Sequence, residues 1–389
     1  MKILITLSTL HGGGAERVAV VWADAFVKLG HEVVLATDKA WEDAPFCYPV
    51  NKDVHMAKCF GYSFSSDADR QQRLRKRYGI LYRVYRAANY YIHTHRAIRK
   101  EIKRFRPDVI LGVMNITSLQ SYVAALGTGC PVIATEHNSF DRPDDPEAAL
   151  KRHERFFKFT LNKLYPLVSV LTTADKDFIG SRLKNIVVVP NPLATQPIDS
   201  PKLTKQKRIV AAGRLNAWEC KGFDLLIEAW SKIAKKYPDW TIDIAGSGDE
   251  KAKSFLQSLI DKGGVANQCV LSGFHNDVAT YYAESEIFVL SSRYEGFGMV
   301  LVEAMSQGCA CIAADYKGRQ REIMPTDDIG ICVPPNNAEA LAAAMERVIS
   351  DENLRRNMQQ RAIERAKDYD HIEIGRKWEA LVRKVNPKV

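Results

Sequence analysis

At 389 residues, 46 % apolar and 26 % charged, the chain has the make-up of an average soluble protein. That composition excludes wholesale disorder, a collagen-like repeat and a disulfide scaffold, and the length exceeds one ordinary core, so two domains are expected. The net charge of +9 lies in the first half: residues 1–195 carry 28 Lys and Arg against 19 Asp and Glu, whereas residues 196–389 carry 27 of each. No apolar run approaches the roughly 20 residues of a membrane-spanning helix. Met1 leads straight into a strand-like stretch, without a charged n-region or a small-residue cleavage site, so no secretory signal is expected. The cysteines at 47, 59, 130, 220, 269, 309, 311 and 332 form no C-x-x-C pair. They read as reduced thiols of a cytosolic protein.

In chain order, apolar β-branched runs alternate with helical-period stretches. Strands are predicted at Lys2–Leu7, Glu32–Thr37, Val109–Val113, Val132–Thr135, Val168–Thr172 and Ile186–Val189, then at Arg208–Ala212, Thr241–Ala245, Val270–Ser272, Ile287–Ser291, Ala310–Ala313 and Gly330–Val333. Helices are predicted over Ala15–Leu29, Asp224–Tyr237, Ala252–Gly263, Val300–Gln307 and Ala338–Ser350. Such alternation argues for parallel sheets covered by helices on both faces, an α/β class of two doubly wound, Rossmann-like domains. The aperiodic, Pro-rich stretch 191–207 is the linker candidate between a first unit, 1–190, and a second, 208–368. Two such sheets joined by a linker enclose a cleft, and ligands bind beyond the carboxyl ends of the strands.

The excess positive charge concentrates in 70–106, which holds 13 Lys and Arg, one acid (Glu101) and five interleaved tyrosines. A solvated helical face would carry such a pattern. A basic, aromatic-bearing helix lying on an anionic lipid surface would carry it too, gaining about 1 kcal/mol per nearby cation. Nucleic acid is not expected as a partner, because none of the familiar reader signatures occurs.

The first strand runs into Gly12-Gly13-Gly14 before a helix, which lets backbone amides approach a ligand and leaves the helix N-terminus free for an anion. The spacing is neither G-x-G-x-x-G nor G-x-x-x-x-G-K-[ST], and a tight turn without ligand also explains it. After the strand Ile287–Ser291 the sequence reads RYEGFGMVLVEAM. A helix starting near Met299 would present the amides of Gly298, Met299 and Val300 to a phosphate. Glu295 would point across the strand ends and Glu303, one turn into the helix, would flank the same pocket. Two carboxylates beside a phosphate site suit a polyol. Arg214 and Lys221, after the strand Arg208–Ala212, are candidates for a diphosphate clamp, with structural ion pairs as the alternative. Gly246-Ser247-Gly248 adds a glycine turn at the same edge.

These motifs together resemble the family 4 retaining glycosyltransferases of the GT-B fold: GGGAERV (12–18), GRL…KGFDLLIEAW (213–230), IAGSGDE (244–250) and the E-x7-E element Glu295…Glu303. The resemblance covers nearly the whole chain, and its closing segment, 369–389, is similar to a final helix that crosses back onto the first domain. It implies that Arg214 and Lys221 hold the donor diphosphate, that Glu295 binds donor-sugar hydroxyls, and that Glu303 binds the ribose. It implies further that the amides of Gly298, Met299 and Val300 complete these contacts and that Gly13 and Gly14 meet the diphosphate or the acceptor. His137, in ATEHN, is similar to the family's active-site histidine, although a lone histidine is more often structural. One departure is the spacer between Arg214 and Lys221, LNAWEC, which is longer than the family's usual one.

What the resemblance implies is a cytoplasmic, membrane-peripheral enzyme without cofactor or metal. It would move a sugar from a nucleoside-diphosphate sugar, expected to be a UDP-sugar, to a lipid-linked or saccharide acceptor. An epimerase of the same architecture and a non-catalytic membrane-binding protein are the competing readings.

Overall fold

The computed structural model describes residues 1–10, 13–38, 49–60, 68–142, 149–202 and 204–389, without the side chains of 68–75. Gly12, Cys47 and the side chains of Arg70, Arg73 and Arg75 lie outside the described residues. Seven strands, β1 (Lys2–Thr6), β2 (Glu32–Thr37), β3 (His55–Lys58), β4 (Val109–Val113), β5 (Val132–Thr135), β6 (Val168–Val170) and β7 (Ile186–Val188), form one sheet. Six more, β8 (Gln206–Ala212), β9 (Thr241–Ala245), β10 (Cys269–Gly273), β11 (Ser285–Leu290), β12 (Ala310–Ala314) and β13 (Gly330–Val333), form a second.

Every pairing is parallel. The strand orders are β3-β2-β1-β4-β5-β6-β7 and β10-β9-β8-β11-β12-β13. Each sheet therefore reverses direction once, between β1 and β4 in the first and between β8 and β11 in the second. Such a switch point leaves a crevice beyond the strand ends. The runs VILGV in β4 and SEIFVL in β11, the latter apolar after Ser285 and Glu286, are buried at every position, as strands covered on both faces must be.

The helix Gly14–Lys28 buries Val18, Trp22 and Phe26, spaced one turn apart, against the first sheet. The last helix, His371–Val385, starts where Asp370 accepts hydrogen bonds from the amides of Ile372 and Glu373. It buries Ile374, Trp378 and Val382 in the core of the first sheet, not the second. Trp378 meets Trp22 edge-on, with ring centroids 5.1 Å apart.

The basic segment forms a helix over Ala68–Phe105, interrupted at Gly79, whose φ of 48° and ψ of −119° lie outside the helical region. Just beyond this break Ile80 and Leu81 are each more than 70 % exposed, with Val84 and Tyr85 exposed beside them, whereas the later turns bury Ile98 and Ile102 in the core of the first domain. Among the described residues no helix is long and apolar enough to cross a membrane.

Candidate functional site

The loops after β1, β4, β8 and β11 face one another across a cleft of about 590 Å³, a size suited to a small-molecule ligand. The first domain supplies Leu7–Thr9, Gly13 to Glu16, Val113, Met114, His137 and Asn138; the second supplies Arg214, Lys221 and the run Tyr294–Val300. His137, Gly13, Gly14, Arg214, Lys221, Glu295, Gly298, Met299 and Val300 line this cleft as expected, and Glu303 and the Gly246–Gly248 turn do not.

The long spacer between Arg214 and Lys221 is taken up locally. Leu215–Ala217 makes a 3-10 turn and Trp218–Lys221 one short α-turn, and Trp218 packs on Phe255 with centroids 4.3 Å apart. The chain thereby returns Lys221 beside Gly213, where a Cβ would stand 3.3 Å from the lysine's methylenes. Arg293 fastens this loop to the next one through a two-pronged bond to Asp224, at 2.8 and 2.6 Å. Lys221 Nζ then donates to Glu295 Oε1 at 2.6 Å, and Ser292 Oγ donates to the same oxygen at 2.8 Å. The Glu295 charge holds the Lys221 ammonium above the ordinary lysine range, against the opposing effect of burial. Arg214 is exposed at the cleft edge and pairs with no carboxylate among the described residues.

The helix Met299–Ser306 begins at Gly298, whose φ of +91° is a left-handed conformation that glycine adopts without strain. Gly298 makes no side-chain cap, and together with Met299 and Val300 it lines the cleft. Gly246 plays another part: a Cβ there would lie 1.8 Å from the Gly213 carbonyl oxygen. This glycine lets two strand-end loops touch, and neither it nor Gly248 lines the cleft.

Glu303, expected to flank the pocket, is buried at 2 % exposure instead. Its helix presents apolar residues on almost every side, so the carboxylate points inward, where Arg17 of the first domain pairs with it at 2.6 Å. Burial raises the Glu303 carboxyl above the ordinary range and Arg17 pulls it back.

His137 forms part of the opposite wall. Its Nε2 lies 3.0 Å from Thr135 Oγ1, and its ring lies 5.5 Å from that of Trp22. Burial pushes the imidazole down to about 4, only partly offset by the Asn191 side chain, so the ring is neutral near pH 7. The buried Lys158 donates to Glu136 Oε2 at 2.9 Å and to the Asn138 carbonyl at 3.0 Å, holding the strand end on either side of His137. Sequence reasoning missed Arg17, Trp22, Lys158 and Asn191. It also missed Met114, which lines the cleft at φ +72°, a rare conformation for a residue with a Cβ.

Two Rossmann-like domains that face each other across a cleft built from both switch points define the GT-B architecture, the fold of a class of glycosyltransferases. Sequence comparison agrees: a model described as Glycosyltransferase Family 4 matches residues 12–196, and one described as Glycosyl transferases group 1 matches residues 194–365. The chain belongs to the family 4 glycosyltransferases. It is 25 % identical over 373 residues to an uncharacterized glycosyltransferase of Haemophilus influenzae, covering 95 % of this chain and 96 % of that one. It is 24 % identical to a Campylobacter jejuni α-1,4-N-acetyl-D-galactosaminyltransferase named for a diNAcBac-PP-undecaprenol-linked GalNAc saccharide, covering 99 % of each. A mutant of S. aureus TarM, solved with fondaparinux, alpha-GlcNAc-glycerol and UDP, superposes with a TM-score of 0.76 at 14 % identity, covering 98 % of this chain and 99 % of that one. Both family models describe transferases, which sets aside the epimerase and the non-catalytic protein.

Proposed function

We propose that the chain is a retaining hexosyltransferase that moves a sugar from a nucleoside-diphosphate sugar, with UDP as the nucleotide, to a lipid-linked saccharide in surface-glycan assembly. The observation that carries this reading is the convergence of Arg214, Lys221, Glu295 and the Gly298–Val300 amides on one cleft. Cations and helix-terminal amides there would take the charge of the departing diphosphate, the role a metal ion plays elsewhere. Glu295 would receive donor-sugar hydroxyls once Lys221 turns to the diphosphate. Glu303 would serve the ribose only after its contact with Arg17 loosens. Gly13 and Gly14 would meet the diphosphate or acceptor from the other domain, with neutral His137 facing the donor sugar. In a front-face reaction the leaving phosphate assists deprotonation of the acceptor hydroxyl.

The helix beyond Gly79 supports a membrane-peripheral, cytoplasmic placement. A merely solvated helix has no need of Ile80, Leu81 and Val84 in water, whereas an interfacial helix buries such residues among headgroups while Arg77, Arg83 and Arg86 meet anionic lipid.

The test is a thermal-shift screen across UDP-, GDP- and ADP-sugars, followed by nucleotide release on adding an undecaprenyl-diphosphate-linked saccharide. A ligand at a hundred times its Kd stabilises by about 2.7 kcal/mol. Proton NMR of the product's anomeric centre reads the stereochemistry. Inversion, or stabilisation by no uridine nucleotide, would overturn the corresponding part of the reading.

A further inference from the structure

A second contact between the domains lies beside the cleft. The second-domain segment 315–323, which follows β12, reaches across to two stretches of the first domain, 139–141 and 172–175. Arg319 is fully buried. Its Nη2 donates to Ser139 Oγ at 2.7 Å and to Asp175 Oδ1 at 2.8 Å. The same Asp175 oxygen accepts from Ser139 Oγ at 2.9 Å and from the Phe140 amide at 2.8 Å, while Thr172 Oγ1 lies 3.1 Å from the other oxygen. Around this centre, Tyr316 OH donates to the Asp141 carbonyl at 2.9 Å and Lys317 Nζ to the Asp141 carboxylate at 2.6 Å. Glu322 accepts from the amides of Thr173 and Ala174 at 2.8 and 2.7 Å, so a carboxylate of one domain caps a helix of the other. Arg365 donates to the Glu322 and Ile323 carbonyls and holds the segment from behind.

A buried ion pair is a poor source of net stability, since an apolar pair of similar volume often does as well or better. What it imposes is geometry. One guanidinium nitrogen shared between Ser139 and Asp175, at the end of a planar group whose other side donates to the Tyr316 carbonyl, fixes distance and direction together, which apolar packing does not. Ser139 lies two residues after His137, and on the other side of the same stretch sits the donor-side loop: a Cβ on Gly296 would stand 3.2 Å from the His137 carbonyl oxygen and 3.5 Å from the Ser139 amide. The wall that carries His137 is therefore held between Gly296 and Arg319, both of the second domain.

We propose that Arg319 is a positioning residue for sugar transfer: through Ser139 and Asp175 it fixes the His137–Asn138 wall in register with Glu295–Gly296. The proposal stands on the interdomain geometry alone and does not depend on the identity of the nucleotide or the acceptor.

The test uses the full chain with one spin label on an exposed helix of each domain and pulsed dipolar measurement of the interdomain distance. Wild type should give one narrow distribution. The double variant Arg319→Met/Asp175→Asn removes both charges and keeps an oxygen for the Phe140 amide, so it should melt within a few degrees of wild type while its distance distribution broadens. Ser139→Ala leaves no buried charge unpaired and folds if the double variant does not; it should broaden the distribution to a smaller extent. Arg319→Lys should not restore the narrow distribution in place of arginine, because the ammonium ends one bond short of the Nη2 position and lacks the planar group that lies by the Tyr316 ring. With the nucleotide sugar that gives the largest shift in the thermal screen, kcat should fall at least tenfold in the double variant with KM changed less than threefold. A distribution as narrow as wild type in both variants, or a loss of activity carried by KM, would overturn the proposal.

Discussion

Arg17 is the sharpest place to perturb the cleft, because the Glu303 carboxylate it faces is buried. Arg17→Met keeps the length of the side chain and its cover over Glu303 but removes the charge. Deleting one partner of a buried pair costs about 3–5 kcal/mol, because the remaining charge is left in a poorly solvated site. For a cooperative unit the size of one domain, about 2–4 °C of melting temperature accompanies each kcal/mol, so a loss on the order of 10 °C is expected near neutral pH. The pH dependence gives the test its direction. Burial already holds the folded Glu303 carboxyl above its unfolded value of about 4.5. The folded chain thus keeps this proton to higher pH than the unfolded chain, and the group's contribution declines as pH rises from the unfolded value through the folded one. Without Arg17 the folded value moves higher and the decline extends further towards neutrality. Scanning fluorimetry from pH 5 to 8 should therefore show a small deficit at pH 5 that grows with pH. Adding Glu303→Gln should recover most of the loss, since no charge is then stranded. A deficit equal at pH 5 and pH 8, or no recovery in the double variant, would refute the reasoning.

Arg214→Ala should lower kcat/KM by on the order of 10²-fold through loss of a charge-assisted contact to the leaving diphosphate; near-normal transfer by the folded variant would remove Arg214 from that role. Replacing Arg73, Arg75, Lys76 and Arg77 with Gln should abolish the salt-sensitive share of sedimentation with anionic liposomes, and replacing Ile80, Leu81 and Val84 with Ser the share that persists at high salt. Liposome binding absent in wild type at low salt would leave the segment an ordinary solvated helix. The buried His137 imidazole, at about 4, should contribute no inflection to the transfer rate between pH 5.5 and 8. Its depressed value means that stability is lost as pH falls from the unfolded value near 6.5 towards 4. An inflection near pH 6.5 that disappears in His137→Asn would contradict the burial argument.

Strands that are buried on both faces announce themselves as continuous apolar runs, the edge strands β7 and β10 were legible from their β-branched and apolar residues, and twelve of the thirteen were found in these two ways. The exception, β3, reads HMAK with one buried position in four. It sits at a sheet edge with one neighbour, so its sequence carries almost no periodicity to detect. The cleft was legible where a residue type and its backbone setting agree, as at Glu295, Lys221 and the Gly298 turn. What the sequence cannot convey is which side chains of one domain meet those of the other. Nothing local to Arg17 announces that it faces Glu303 some 290 positions away, nor that Arg319 faces Asp175. Trp22 looked like one more core residue on an amphipathic helix, and only its contacts with Trp378 and His137 tie the last helix to the cleft wall. Gly246 shows the converse, a glycine in a turn at the site's edge whose missing side chain serves the approach of two loops.

The charges of the cleft are arranged as if for exchange. Lys221 is offset by Glu295 and Arg17 by Glu303, which among the described lining residues leaves Arg214 as a cation without a carboxylate partner. Unliganded, the cleft therefore carries little uncompensated charge, and the first domain's excess of positive residues lies elsewhere, on the basic helix. Under the proposed reaction, an arriving diphosphate competes with Glu295 for the Lys221 ammonium. A diphosphate, with one negative charge on each phosphate and oxygens on several sides, is the stronger competitor where water is excluded. Once Lys221 turns to it, Glu295 loses its cation and becomes an acceptor with free lone pairs, which the hydroxyls of a donor sugar can fill. A nucleotide without its sugar would leave the Glu295 oxygen that Ser292 does not serve without those hydroxyls, an arrangement that costs on the order of 1–3 kcal/mol where water is excluded. The pair thus gives the site a physical reason to hold the intact donor more tightly than the spent nucleotide, and so to release the product after transfer.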